Sequence, residues 1–119
     1  MIDSTFETAE LIRAAVKSVE GMRVYDDPAA TVTTPAAIVG APQLTLEGIS
    51  SLPTRATFPV AVMVDNNKSS VNKLLKLVPE VIEAIRDQVP DAEILETITP
   101  AVIQIGNVDL PGYMIFVEV

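Results

Sequence analysis

The sequence predicts an α+β fold: an antiparallel sheet of about four strands with two helices packed on one side, in the order α-β-β-α-β-β. Three observations predict it. Apolar residues recur at helical spacing in two segments, 5–20 and 71–86. Elsewhere they alternate with period two, the signature of strands. Clusters of Gly, Pro, Asn and Asp separate the two kinds of segment. At 119 residues the chain makes one domain, 1–119, with room for a core that needs no disulfide or metal.

Ser4-Thr5-Phe6-Glu7 reads as a capping box, in which Ser4 and Glu7 each satisfy a backbone N–H of the other. Leu11, Ile12, Ala15, Val16 and Val19 then form a helical stripe, and Gly21 stops it. Residues 22–27 suit a short extended segment before Pro28, and 28–35 reads as an Ala/Thr-rich loop. The apolar run 36–41 makes a strand that Leu44 and Leu46 extend, with an edge position or a break forced at Pro42. Residues 48–57 read as a hairpin loop or extended arm.

Phe58, Val60, Val62 and Val64 share one face of the next strand, and Ala61 and Met63 the other. Both faces are apolar, which predicts a covered central strand. Asp65-Asn66-Asn67 ends it with turn chemistry, and Ser69 or Ser70 caps the second helix. Val71, Leu74, Leu75, Val78, Val81, Ile82 and Ile85 form its stripe, with a kink or break predicted at Pro79. Val89-Pro90-Asp91 turns out of the helix. Residues 94–99 alternate, 102–105 resume after Pro100, and 106–112 form a hairpin loop with a Gly at each end. In the last strand Tyr113, Ile115, Val117 and Val119 face the core, and Met114, Phe116 and Glu118 face away.

Composition limits function. The chain has no His, Cys or Trp, and 16 acidic residues stand against 8 basic ones, for a net charge of −8. That disfavours binding to phosphate backbones and to anionic membrane surfaces. The acids are scattered, not arrayed as a nucleic-acid mimic would need. Thiolate metal sites are excluded, and acid–base catalysis at neutral pH would have to run without His. The carboxylate pairs Asp26-Asp27 and Glu80/Glu83 read as a turn and a solvated helix face. Asp65-Asn66-Asn67 lacks the Gly and distal Glu of a calcium loop. Ser50-Ser51 sits in no nucleophile elbow, and the five Gly are dispersed, so no phosphate loop exists. Lys73 and Lys76 read as solubilising. The sequence thus predicts neither an enzyme nor a metal or cofactor site.

Binding remains. Three places hold more apolar or extended character than a turn requires: 48–57, which carries Ile49, Leu52 and Arg55; 108–111; and 29–34, a segment suited to ordering on contact. Unpaired sheet edges add a fourth opportunity.

A first helix with Ile12 to Val16 near its end, a hairpin with an arm at 48–57, a long helix from Val71 to Arg86 and a final hairpin resemble the tail terminator proteins of long-tailed bacteriophages, with related minor tail and head–tail joining proteins. The resemblance covers nearly the whole chain by order of elements. It implies a protomer that closes into a homo-oligomeric ring, commonly a hexamer, on the finished tail tube. The ring stops polymerisation of the major tail tube protein and presents a surface to the head–tail connector, with DNA passing through it. On that resemblance, interface contacts come from 48–57, through Ile49, Leu52, Arg55 and Thr57, and from the final loop, through Val108, Asp109 and Leu110. The expected location is the virion, at the head–tail junction, after assembly in the host cytoplasm. Alternatives are a head-closure or other minor tail protein and a non-viral acidic protein-binding module.

Overall fold

A computed structural model describes residues 2–25, 33–46 and 55–119. Helix α1 spans Ile2–Lys17, followed by strands β1 (Arg23–Tyr25), β2 (Ala36–Val39), β3 (Gln43–Thr45) and β4 (Arg55–Met63). Helix α2 (Ser70–Gln88) precedes β5 (Glu93–Ile94), β6 (Thr99–Ile105) and β7 (Val108–Glu118). The expected antiparallel sheet of four strands, in the order α-β-β-α-β-β, is wrong. Among the described residues the sheet has seven strands, and it is mixed, because β1 lies parallel to β2. Its main path runs β1-β2-β4-β7-β5, with β3 also on β4 and β6 also on β7.

The extra strands have local causes. The expected strand through Pro42 is two strands, β2 and β3, which pair with successive parts of β4. Between them Gly40 donates to the Pro59 carbonyl at 2.9 Å. The N–H and C=O of a strand residue point the same way, so the donor that Pro59 lacks would also face this break. An added Cβ on Gly40 would sit 3.0 Å from Pro59 Cγ, which shows how closely the chain passes there. The expected strand 94–99 is instead the two-residue β5 and then β6, which runs through Pro100. Pro100 is tolerated because, among the described residues, β6 pairs only with β7 and its outer edge has no ladder.

α1 begins at Ile2, before the expected Ser4 cap. It ends at Lys17, where the Ser18 hydroxyl donates to the Ala15 carbonyl at 2.6 Å and competes with the helix ladder. Gly21 then takes a positive φ of 78°. α2 runs unbroken through Pro79. The carbonyl orphaned by that proline belongs to Leu75, on an exposed flank where water can satisfy it. Ser69 precedes α2 but makes no side-chain cap. The buried Ser70 hydroxyl instead lies 2.6 Å from the Asp65 carbonyl and accepts from the Asn67 N–H at 2.9 Å, holding the turn from β4 into α2.

Both helices cover one face of the sheet. Ile12, Ala15 and Val16 of α1 and Leu74, Val81 and Ile85 of α2 pack on Phe58, Val60, Val62, Ile115 and Val117. Fully burying such side chains contributes roughly 1.5–3 kcal/mol each. β4 supplies four of the fully buried large ones, Phe58, Val60, Val62 and Met63, which makes it the strand the fold depends on most. The opposite face holds a smaller cluster of Ala36, Ile38, Ala61, Met63, Ile105 and Leu110.

Candidate assembly surface

β7 is longer than its neighbours. Its eleven residues span about 35 Å, and its pairing with β4 ends at Gly112 opposite Met63. The segment Val108–Pro111 continues past that point, paired only with Val102–Ile105 of β6. The two strands form an arm about 13 Å long beyond the end of β4. The turn at its tip is Gly106-Asn107, with Gly106 at φ 58° and no positive φ at Asn107, the pattern of a tight type II′ hairpin. The expected loop over 106–112 is therefore a two-residue turn followed by strand.

Three contacts fix the arm. Val64 donates its N–H to the Pro111 carbonyl at 3.1 Å. Gly112 sits so close to β4 that an added Cβ would overlap the Val62 carbonyl oxygen and touch Ile103. Ile105 and Leu110 are buried in the second cluster. Ile103 and Pro111 are half-buried, and the remaining arm residues stay open: Val102 is 73% exposed and Val108 56%, and Gln104 and Asp109 are exposed as well.

β6 forms the outer edge of this arm, and its seven residues carry no charge. Edge strands ordinarily carry Lys, Glu or other blunting features, because an unpaired ladder is a template for another chain. Pro100 guards only the base of β6. The opposite side of the sheet is bounded by β1 and β3, and fully exposed β3 presents Leu44, with Leu46 following. On α2, Val71 and Leu75 are exposed as well.

The predicted interface residues divide sharply. Ile49 and Leu52 lie outside the described residues, as do 29–32 of the segment expected to order on contact. Arg55 and Thr57 are not part of an arm. They belong to β4, paired with Thr45 and Gln43, and Arg55 Nη1 lies 3.7 Å from Glu118 Oε1. Val108 and Asp109 are exposed at the arm tip, whereas Leu110 is buried and cannot serve as an exposed anchor. Sequence reasoning missed Val102, and it placed Val71 and Leu75 within the core stripe. The signal for those two was the width of the stripe, about 120° at 100° per residue. Only Leu74, Val78, Val81 and Ile85 of that stripe are fully covered, and Ile82, on the flank of Val71 and Leu75, is half-buried.

A cleft of about 320 Å³ opens where β4 hands over to α2. Its apolar wall is Pro35, Val64 and Leu77, and its helical wall carries Lys73 and Lys76. At the rim the Thr34 hydroxyl donates to Asp65 Oδ1. Neither lysine has an ion-pair partner among the described residues. Three of the eight basic residues, Lys68, Lys73 and Lys76, fall within 66–79, a stretch without one acid. Among the described residues no group of three or more carboxylates is placed to hold a metal ion, and no helix is long and apolar enough to cross a membrane. A scan against protein-family models and a search of curated proteins returned no match to this chain.

Proposed function

We propose that this chain is a structural subunit that joins copies of itself edge to edge into a closed ring, and that the ring serves as the tail terminator of a long-tailed phage. The observation that carries self-association is β6: a seven-residue, uncharged edge strand on a projecting arm, with Val102 73% exposed. The opposite sheet edge offers Leu44 and Leu46, a different surface. Two different surfaces on opposite sides favour head-to-tail contacts, which close into rings when the rotation per subunit allows. Among the described residues eight large aliphatics are exposed, and six of them, Leu44, Leu46, Val71, Leu75, Val102 and Val108, lie on the sheet edges, the arm and α2, where they offer apolar area to such contacts. The terminator role itself rests on the sequence resemblance alone, since the sheet departs from the element order that the resemblance led us to expect; capping a tube requires docking and no reaction.

Light scattering over a range of concentrations tests the assembly. The wild-type chain is expected to move from monomer to a discrete ring, and Val102→Asp to remain monomeric with unchanged far-UV circular dichroism. A wild-type chain that stays monomeric at millimolar concentration overturns the reading. The terminator role is tested by adding the ring to polymerising tail tube protein under the electron microscope. Growth should stop at a uniform capped end, and tubes that keep elongating refute the role.

A further inference from the structure

We infer that the cleft beside Lys73 and Lys76 is the receptor for the arm tip of a second copy of this chain, with Val108 entering the apolar wall and Asp109 pairing with the lysines. This inference rests on the self-assembly reading above and names the site it uses.

The charge pattern singles out the cleft. In a chain with a net charge of −8, the run 66–79 holds three lysines and no acid. Lys73 also lies near the N-terminus of α2, where the helix dipole favours acidic residues and disfavours cations. No acid occupies the first turn of α2 to offset it. Local stability therefore argues against this arrangement, and a bound carboxylate would answer both the unpaired lysines and the dipole. Lys73 and Lys76 stand three positions apart on one flank of the helix, close enough for both ammonium groups to reach one carboxylate.

The shape narrows the occupant. At about 320 Å³ the cleft is at the small end of ligand pockets, suited to one or two side chains. One wall is aliphatic, the helical wall is cationic, and the one acid of the lining, Asp65, accepts from the Thr34 hydroxyl at the rim, so an aliphatic group beside a carboxylate turned toward the helix fits the cleft. Val108 and Asp109 are adjacent, exposed and on a preformed hairpin. Neighbouring strand residues point to opposite faces, so a tip entering the cleft would turn Val108 to one wall and Asp109 to the other. Within one chain this pairing is not made: Asp109 has no ion-pair partner among the described residues, although Pro111 at the base of the arm adjoins Val64 of the cleft wall.

The test is a charge swap read by sedimentation or light scattering. Asp109→Lys alone and the double change Lys73→Glu with Lys76→Glu should each weaken self-association about tenfold or more, and all three together should restore it to within a few-fold of wild type. All these side chains are exposed, so circular dichroism should show the fold unchanged. Wild-type association should also weaken as salt is raised. If the wild type associates and the single-sided charge changes leave it unaffected, or the combined variant is not restored, the docking inference is overturned and the assembly reading stands. If the wild type never associates, both fall.

Discussion

Replacing Gly112 by Ala tests the join between the arm and the sheet. The backbone of Gly112 pairs with Met63, and an added Cβ would fall well inside contact distance of the Val62 carbonyl oxygen. That oxygen is fixed main chain, so β7 must retreat by roughly 1 Å to reach an ordinary separation. The retreat strains the Val64-to-Pro111 hydrogen bond and the neighbouring ladder. Losing one or two such bonds costs about 1–2 kcal/mol. Ile103 must move too, since its Cδ1 and Cγ1 would lie 3.1 and 3.2 Å from the new carbon. Overpacking of this kind adds at least about 1 kcal/mol. The total is about 2–4 kcal/mol. With a urea m-value near 2 kcal/mol/M, the unfolding midpoint should fall by roughly 1–2 M. The comparison is made at a concentration where both proteins are monomeric, so that assembly does not enter. A Gly112→Ala protein whose midpoint shifts by less than about 0.25 M, or roughly 0.5 kcal/mol, would refute the close crossing of β7 over β4.

Two further substitutions probe the helix that carries the cleft. Ser70→Ala removes the hydroxyl that holds the Asp65–Asn67 turn, leaves the Asn67 N–H without its acceptor, and should cost about 1–3 kcal/mol in chemical denaturation; Ser69→Ala, at a position with no side-chain cap, should cost much less. Pro79→Ala restores a ladder donor on an exposed flank of α2 and should stabilise the protein by about 1–2 kcal/mol in thermal melts, the relief of the helix defect exceeding the unfolded-state entropy that proline removes; a lower melting temperature would show that the proline fits a bend the packing needs.

The helices and the two central strands were readable because burial acts on them directly. Phe58, Val60 and Val62 point to one layer and Ala61 and Met63 to the other, so their alternation reports two covered faces. The same holds for Ile115 and Val117 against Met114. What the sequence hid was pairing. Arg23–Tyr25 is too short for its pattern to reveal a partner, and nothing in its residues states that the partner is parallel. Pro42, Pro59 and Pro100 each suggest an interruption, yet only the sheet order tells which one breaks a strand. Pro42 falls between two strands, Pro59 faces the gap they leave, and Pro100 lies on an open edge. The arm was half legible. Gly106 and Gly112 bracketed a supposed loop, but Gly112 marks the close crossing with β4 and only Gly106 makes the turn. Val108 and Asp109 were found because they are apolar and charged where a loop was expected. The cleft was missed because Lys73 and Lys76 have the ordinary meaning of solvated charge until the acid-free run around them is weighed.

A strand-paired hairpin where a loop was expected changes the energetics of the proposed assembly. A flexible loop that orders on contact loses roughly 1–2 kcal/mol of backbone entropy per residue fixed, and contacts with the partner must first offset that loss. Here the arm's pairs run from Val102 opposite Pro111 to Ile105 opposite Val108, and Ile105 and Leu110 hold its inner face on the sheet. The ordering cost is therefore met during folding of the monomer. Docking at Val102, Val108 and Asp109 then has mainly side chains to restrain, at about 0.5–1.5 kcal/mol each. A small contact can hold under those terms, and the association should respond to concentration and salt and leave the backbone fold unchanged. Leu110 is buried in the second cluster beside Ile105: on the proposed assembly, trimming it to Ala should loosen the arm and weaken association in light scattering, although the side chain is not exposed for docking.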